Sequence, residues 1–295
     1  MTTPHLARAI VAFLLLGVAV GGCAGDTGRT ETVAAASAAL PVLEVTATEY
    51  AFQAPDSVPP GRTVVRLKNL GRVVHEVIVM KLRPGVNLDT LLAQPDRRRG
   101  FPEFVEGGNA VLFAPPGKTG SGELVVDLEP GRDYLLLCNF RDAEGKPMHS
   151  SLGMYRRVRV GTAPVAATPP AEREVVVLAG DYRFVAPDTL DAGPVEFRMR
   201  NVGRQRHEVS LGRLKVGVPA RDFLDRWQRG EEIDSLYDDD GAVVTGYPTD
   251  DNRIAIRADL RAGHEYVIVC EFRDAPGQPT HRELGMAKGL LVRGR

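Results

Sequence analysis

Apolar and polar residues alternate with a period of two along much of the chain. Val195, Phe197 and Met199 are interleaved with Glu196, Arg198 and Arg200, and Val65 and Leu67 hold the matching positions earlier in the chain. Such alternation predicts strands with one buried and one wet face. Further strands are expected at 43–48, 76–80, 124–128, 133–138 and 156–160, each with a counterpart 132 residues on. Helix-compatible apolar spacing with helix-start signals occurs in two short places, Asn87–Ala93 and Pro219–Arg229. The pattern therefore predicts an all-β chain of two tandem Greek-key β-sandwich domains with short inserted helices. An Ala- and Pro-rich linker, residues 162–172, separates domain 1 (42–161) from domain 2 (173–295).

The repeat carries chemistry as well as strands. Cys138–Met154 reads CNFRDAEGKPMHSSLGM and Cys270–Met286 reads CEFRDAPGQPTHRELGM, and each copy has a second imidazole upstream, His75 in NLGRVVHEV and His207 in NVGRQRHEV. A lone histidine beside an apolar strand, or a lone buried cysteine, is ordinarily structural. Two complete His, Cys, His, Met sets at one offset, each Cys closing an apolar run (YLLLC, YVIVC), point instead to metal. Thiolate, imidazole and a weak axial thioether suit copper in both oxidation states. Structural zinc prefers more thiolates and has little use for methionine.

A distal His on one strand followed by Cys, His and Met on the loop between the last two strands resembles the cupredoxin family of plastocyanin and azurin. The resemblance spans Val42 to Arg295. It implies two blue (type 1) copper centres, one per domain. His75, Cys138 and His149 would form the first, with Met154 axial, and His207, Cys270 and His281 the second, with Met286 axial. The loop spacing Cys-x10-His-x4-Met is longer than in small family members. Glu76 and Glu208 follow the distal His where the family often has Asn; their backbone N–H groups remain able to bond the Cys sulfur.

Composition changes the picture little. With 37 basic and 38 acidic residues the formal charge is −1, which leaves no electrostatic footprint for nucleic acid. At the start of the chain, Arg8 precedes the apolar run Ala9–Val20, and Val20-Gly21-Gly22-Cys23 resembles a bacterial lipobox. Residues 1–22 are thus expected to be a lipoprotein signal peptide, Cys23 the lipidated first residue, and 23–41 a flexible tether. This implies an extracytoplasmic protein anchored to a bacterial membrane. The chain has three cysteines, one for lipid and two for metal, so no routine disulfide is expected.

Three function classes compete: electron carrier, copper enzyme, and copper storage or delivery protein. Six histidines are present; four serve the two centres, His5 lies in the leader and only His264 remains. Catalytic copper sites require more, so the sequence predicts no enzyme unless another chain supplies ligands. It predicts an electron carrier between extracytoplasmic redox partners. Tyr50, Phe52, Tyr182 and Phe184 are expected to be core aromatics, Trp227 a core anchor, and Asp238–Asp240 a solvated turn. Val73, Val74 and Met148 near the first centre, against Gln205, Arg206 and Thr280 near the second, lead to the expectation of a higher potential at the first. That expectation treats Arg206 as an exposed charge.

Overall fold

The computed structural model describes residues 39–94, 101–165, 168–248, 250 and 253–294. The expected signal peptide, Cys23 and most of the expected tether lie outside the described residues. Among the described residues no helix is long and apolar enough to cross a membrane.

The first repeat supplies β1 (Val42–Thr48), β2 (Ala51–Gln53), β3 (Ser57–Val58), β4 (Gly61–Asn69), β5 (His75–Leu82), α1 (Leu88–Leu92), β6 (Val105–Ala114), β7 (Glu123–Leu128), β8 (Asp133–Leu137) and β9 (Tyr155–Val160). The second supplies β10 (Glu174–Gly180), β11 (Arg183–Val185), β12 (Thr189–Asp191), β13 (Gly193–Asn201), β14 (His207–Leu214), α2 (Ala220–Gln228), β15 (Tyr237–Gly246), β16 (Ile254–Leu260), β17 (Glu265–Val269) and β18 (Ala287–Arg293). They form two sheets, ordered β11-β10-β13-β16-β7-β4-β1-β2 and β12-β18-β17-β14-β15-β6-β5-β8-β9-β3. The all-β sandwich architecture with short inserted helices is as the alternation predicts.

Both sheets run through both repeats. In one, β7 pairs antiparallel with β16, and Leu124 faces Ile256, its own counterpart. In the other, β6 pairs antiparallel with β15, and Val111 faces Val243, again its counterpart. An antiparallel register centred on equivalent residues is what a two-fold axis produces, so the repeats pack like the halves of an isologous dimer. Sequence reading missed β6 and β15. VEGGNAVLFA and YDDDGAVVTG carry glycines and weak alternation, and what makes them strands is long-range pairing, with β5 and β14 of their own repeats along their length and with each other across the repeats. Asp238 accordingly sits on β15 rather than in a turn, and accepts from Arg213 Nε at 2.9 Å.

The main core lies between the sheets, with Val45, Leu67, Leu112, Leu136 and their counterparts Val177, Met199, Val244 and Ile268 all buried. Each such side chain contributes roughly 1.5–3 kcal/mol by leaving water. A smaller cluster, Met80, Leu82, Leu91, Leu135 and Leu137, forms outside the ten-stranded sheet where α1 covers it. In the second repeat α2 covers Leu214, Val267 and Val269 through Ala220 and Phe223. Strands β8 and β17 are therefore buried on both faces, which is why they read as continuous apolar runs rather than alternating ones. Trp227 is half-buried in this cluster against Phe223 and Tyr237.

Candidate metal centres

Each repeat brings its three predicted donors to one point. His75 starts β5, Cys138 follows the last residue of β8, and His149 opens a short 3-10 turn. All three are wholly buried, as are His207, Cys270 and His281. Within each group the donor atoms lie within 4.8 Å of one another. Cys138 and Cys270 are free, so no bridge joins them.

The long loop reaches this geometry through its backbone. Cys138 N donates to Met154 O at 3.1 Å, Met154 N to His149 O at 2.9 Å, His149 N to Phe140 O at 2.9 Å and Ser150 N to Cys138 O at 2.7 Å. The second loop repeats all four bonds: Cys270 to Met286 at 3.1 Å, Met286 to His281 at 2.8 Å, His281 to Phe272 at 2.8 Å and Arg282 to Cys270 at 2.7 Å. Arg141 and Arg273 each donate to a carbonyl across their own loop, of Lys146 and Gln278. Gly153 and Gly285 (φ 105° and 104°) make the left-handed turn that places Met154 and Met286 in the core.

The imidazoles are held from outside. His149 Nε2 donates to Asp142 Oδ1 at 2.9 Å, and His281 Nε2 to Asp274 Oδ1 at 3.1 Å. That bond puts the proton on Nε2 and leaves the Nδ1 lone pair aimed inward. Nδ1 of His149 lies 3.2 Å from Nδ1 of His75 and 3.5 Å from Cys138 Sγ; in the second group the separations are 3.0 and 3.4 Å. Two imidazole nitrogens ~2.05 Å from one ion at an angle of about 105° are ~3.3 Å apart, and a thiolate at ~2.3 Å stands ~3.6 Å from each. The donor sets fit a single ion.

The distal histidine is placed by a close approach. A Cβ on Gly71 would lie 2.9 Å from His75 Nε2, and one on Gly203 2.7 Å from His207 Nε2, so only glycine fits. Buried Asn69 shapes this turn by donating to Val73 O and Ala114 O, both at 2.8 Å, and accepting from Gly71 N; Asn201 does the same in the second repeat.

Burial dominates the electrostatics of the donors. Burial, with Glu76 adding to it, pushes the Cys138 thiol up to about 12, and burial with Glu208 does the same for Cys270. Burial, then the neighbouring imidazole, lowers His75 and His207. Neutral donors in a dry site become a thiolate and two lone pairs only when a cation compensates them. Glu208 N donates to Cys270 Sγ at 3.4 Å, as the sequence led us to expect. The Glu side chains do more: Glu76 Oε1 accepts from Asn139 N at 2.9 Å and Glu208 Oε1 from Glu271 N at 2.8 Å, stitching the distal strand to the Cys loop. Desolvation raises Glu76 to about 7 and also raises Glu208. Both line a cleft of about 600 Å³ between the two loops, floored by Val111 and Val243.

Tyr50 and Tyr182 correct the sequence reading. Phe52 is buried in the core, but the Tyr50 hydroxyl donates to Asp142 Oδ2 at 2.7 Å and the Tyr182 hydroxyl to Asp274 Oδ2 at 3.1 Å. Arg206 is also not an exposed charge. Its guanidinium lies 4.8 Å from the Phe272 ring centre and 5.2 Å from that of Tyr247, and donates to Thr245 Oγ1. Asn69 and Asp142, which sequence reading missed, and Tyr50 and Glu76, whose side-chain roles it missed, all recur 132 residues on as Asn201, Asp274, Tyr182 and Glu208. That recurrence was the signal available.

No family model matches the chain, and no curated protein matches it in sequence. Solved structures similar to it include reduced auracyanin from the photosynthetic bacterium Roseiflexus castenholzii, at 20% identity and TM-score 0.28 over 43% of this chain and 100% of that one. A multicopper oxidase is similar at 14% identity and TM-score 0.24 over 86% of this chain and 89% of that one. A copper-containing nitrite reductase from Thermus scotoductus is similar at 13% and 0.24 over 85% and 61%. The similar solved structures include an oxidase and a reductase, and the expectation that the chain is not an enzyme is corrected. Counting the histidines of one chain could not settle it, since ligands can come from a second chain.

Proposed function

We propose that this protein transfers single electrons through two type 1 copper centres. His75, Cys138, His149 and Met154 would hold one ion; His207, Cys270, His281 and Met286 would hold the other. Copper bound there supplies a one-electron couple. The chain's own residues fix the donors, exclude water and keep the geometry nearly the same in both oxidation states, which limits reorganisation. One observation carries this reading: two wholly buried His, Cys, His groups, built by the same backbone bonds, at the ends of paired strands. Burial argues against storage or delivery, which calls for exchangeable ligands. The leader supports lipidation at Cys23, an extracytoplasmic location and redox partners there.

Metal analysis with a visible spectrum tests the proposal. The purified protein should bind two coppers and show an intense thiolate charge-transfer band that reduction bleaches. Cys138→Ser and Cys270→Ser should each leave one copper and about half the colour. Colour surviving in the double variant sinks the ligand assignment. Cys23→Ser should abolish fatty-acid incorporation and leave both spectra unchanged.

A further inference from the structure

Among the described residues only two non-glycine residues have a positive φ, Tyr50 at 57° and Tyr182 at 59°. They are equivalent positions in the two repeats. A bulky residue in the left-handed region is strained and persists only where its surroundings over-determine it, most often at functional sites.

The strain has a visible result in both repeats. The turn sets the Tyr50 ring edge-on to His149, with ring centres 4.9 Å apart, and sends its hydroxyl to Asp142 Oδ2 at 2.7 Å. Asp142 receives His149 Nε2 on its other oxygen at 2.9 Å. Tyr182, Asp274 and His281 form the same chain at 3.1 and 3.1 Å, with ring centres 5.1 Å apart. The residue before each tyrosine ties the turn to the other imidazole's segment: Glu49 Oε1 accepts from Arg72 N at 2.8 Å and Asp181 Oδ1 from Arg204 N at 2.7 Å. One strained turn thus grips the segments that carry both histidines.

We infer that Tyr50 and Tyr182 are positioning residues: through Asp142 and Asp274 they lock the loop imidazoles in the Nε2–H tautomer, so that each donor set is formed before any metal arrives. Without the hydroxyl, Asp142 keeps one partner fewer and is free to swing towards solvent, and His149 loses the fixed acceptor that selects its tautomer. The inference rests on the metal-site reading for its purpose, but its structural content is independent of metal.

The test is ¹⁵N NMR of the histidine side chains in the metal-free protein, for the parent, Tyr50→Phe and Tyr50→Gly. Tyr50→Phe keeps the ring and removes the hydroxyl. Tyr50→Gly also removes the strain, so a folded protein is assured in at least one variant. The parent should show His149 and His281 each as a single Nε2–H tautomer. Both variants should lose that signature at His149 alone, and copper uptake at the first centre should slow by roughly tenfold, the effect of losing one hydrogen bond to a charged group. An unchanged His149 signature in both variants overturns the inference, as does equal loss at His149 and His281, which would mean general damage. A parent that shows the tautomer lock but binds no copper would refute the metal reading and leave the clamp standing.

Discussion

Replacing Arg206 by Met should lower the reduction potential of the second centre by tens of millivolts. The guanidinium lies 4.8 Å from the Phe272 ring centre, itself 5.9 Å from that of His281, so it stands on the order of 10 Å from an ion held there. Wedged between Phe272 and Tyr247, it works through protein rather than bulk water. With an effective dielectric of about 20 the interaction is ~1.7 kcal/mol, or ~70 mV for one electron. The same charge in water would be worth ~0.4 kcal/mol, or ~20 mV. The oxidised site is one charge more positive, so a fixed cation favours the reduced form and raises the potential. Of the three carboxylates that line the cleft, Glu208 and Glu271 belong to the second repeat and oppose this. Glu271 is bound by Arg282 Nε, and burial raises the carboxyl of Glu208, so neither cancels Arg206 in full. Both donor triads are wholly buried, which removes most of the solvation contrast that favoured the first centre on sequence grounds. The second centre should therefore have the higher potential. Spectroelectrochemistry on Cys138→Ser, with and without Arg206→Met, decides the matter. A drop below about 20 mV, or one that fades as salt rises, would show that Arg206 is solvated and refute the reasoning.

Other outcomes follow from the same geometry. Gly71→Ala should expel His75, since the new methyl meets its Nε2 at 2.9 Å; metal analysis should show copper lost from the first centre only. Glu76, raised to about 7, should ionise between roughly pH 6 and 8, and its carboxylate favours the oxidised ion. The potential of the first centre should fall with rising pH across that window and stay flat in Glu76→Gln, as measured on Cys270→Ser. In the metal-free protein the thiols sit at about 12 when folded against a reference value of 9.0. A group raised by folding stabilises below its unfolded pKa and loses that contribution as pH climbs towards the folded one. Metal-free protein should thus weaken in denaturant melts above about pH 9, and the double Cys→Ser variant only above about pH 10, where burial of Tyr134 begins to count.

How much of this was legible in the sequence depended on range. Strands with one wet face were readable because alternation is local, and the donors because they recur at one offset. Strands β6 and β15 were not readable, since their partners, β5 and β14 and one another, are distant in sequence and their glycines lower local strand propensity. Nor was the role of Tyr50. Tyrosine beside phenylalanine near a strand end reads as packing, and its hydroxyl partner Asp142 is 92 residues away. Arg206 failed for a related reason. A charged residue beside a histidine reads as exposed, whereas two rings from Tyr247 and the Cys loop cover it.

The two-fold scaffold makes the differences between its halves informative. Where the first repeat has Ser150, which donates to Asn139 Oδ1 at 3.0 Å, the second has Arg282. Arg282 lies 4.3 Å from the Trp227 ring centre, bonds Gln228 Oε1 at 3.3 Å and pairs with Glu271, so it braces the second Cys loop against α2. Where the first repeat has Val74, the second has Arg206. The backbone bonds that shape the two loops agree to within 0.1 Å, so these substitutions act on nearly identical donor geometry. Any gap between the two potentials then reports the surrounding charges and the helix brace rather than the ligands. A carrier with two copper centres, as proposed, would gain directionality only through such differences, and here they concentrate on the second copy, on the residues next to His207, Cys270 and His281.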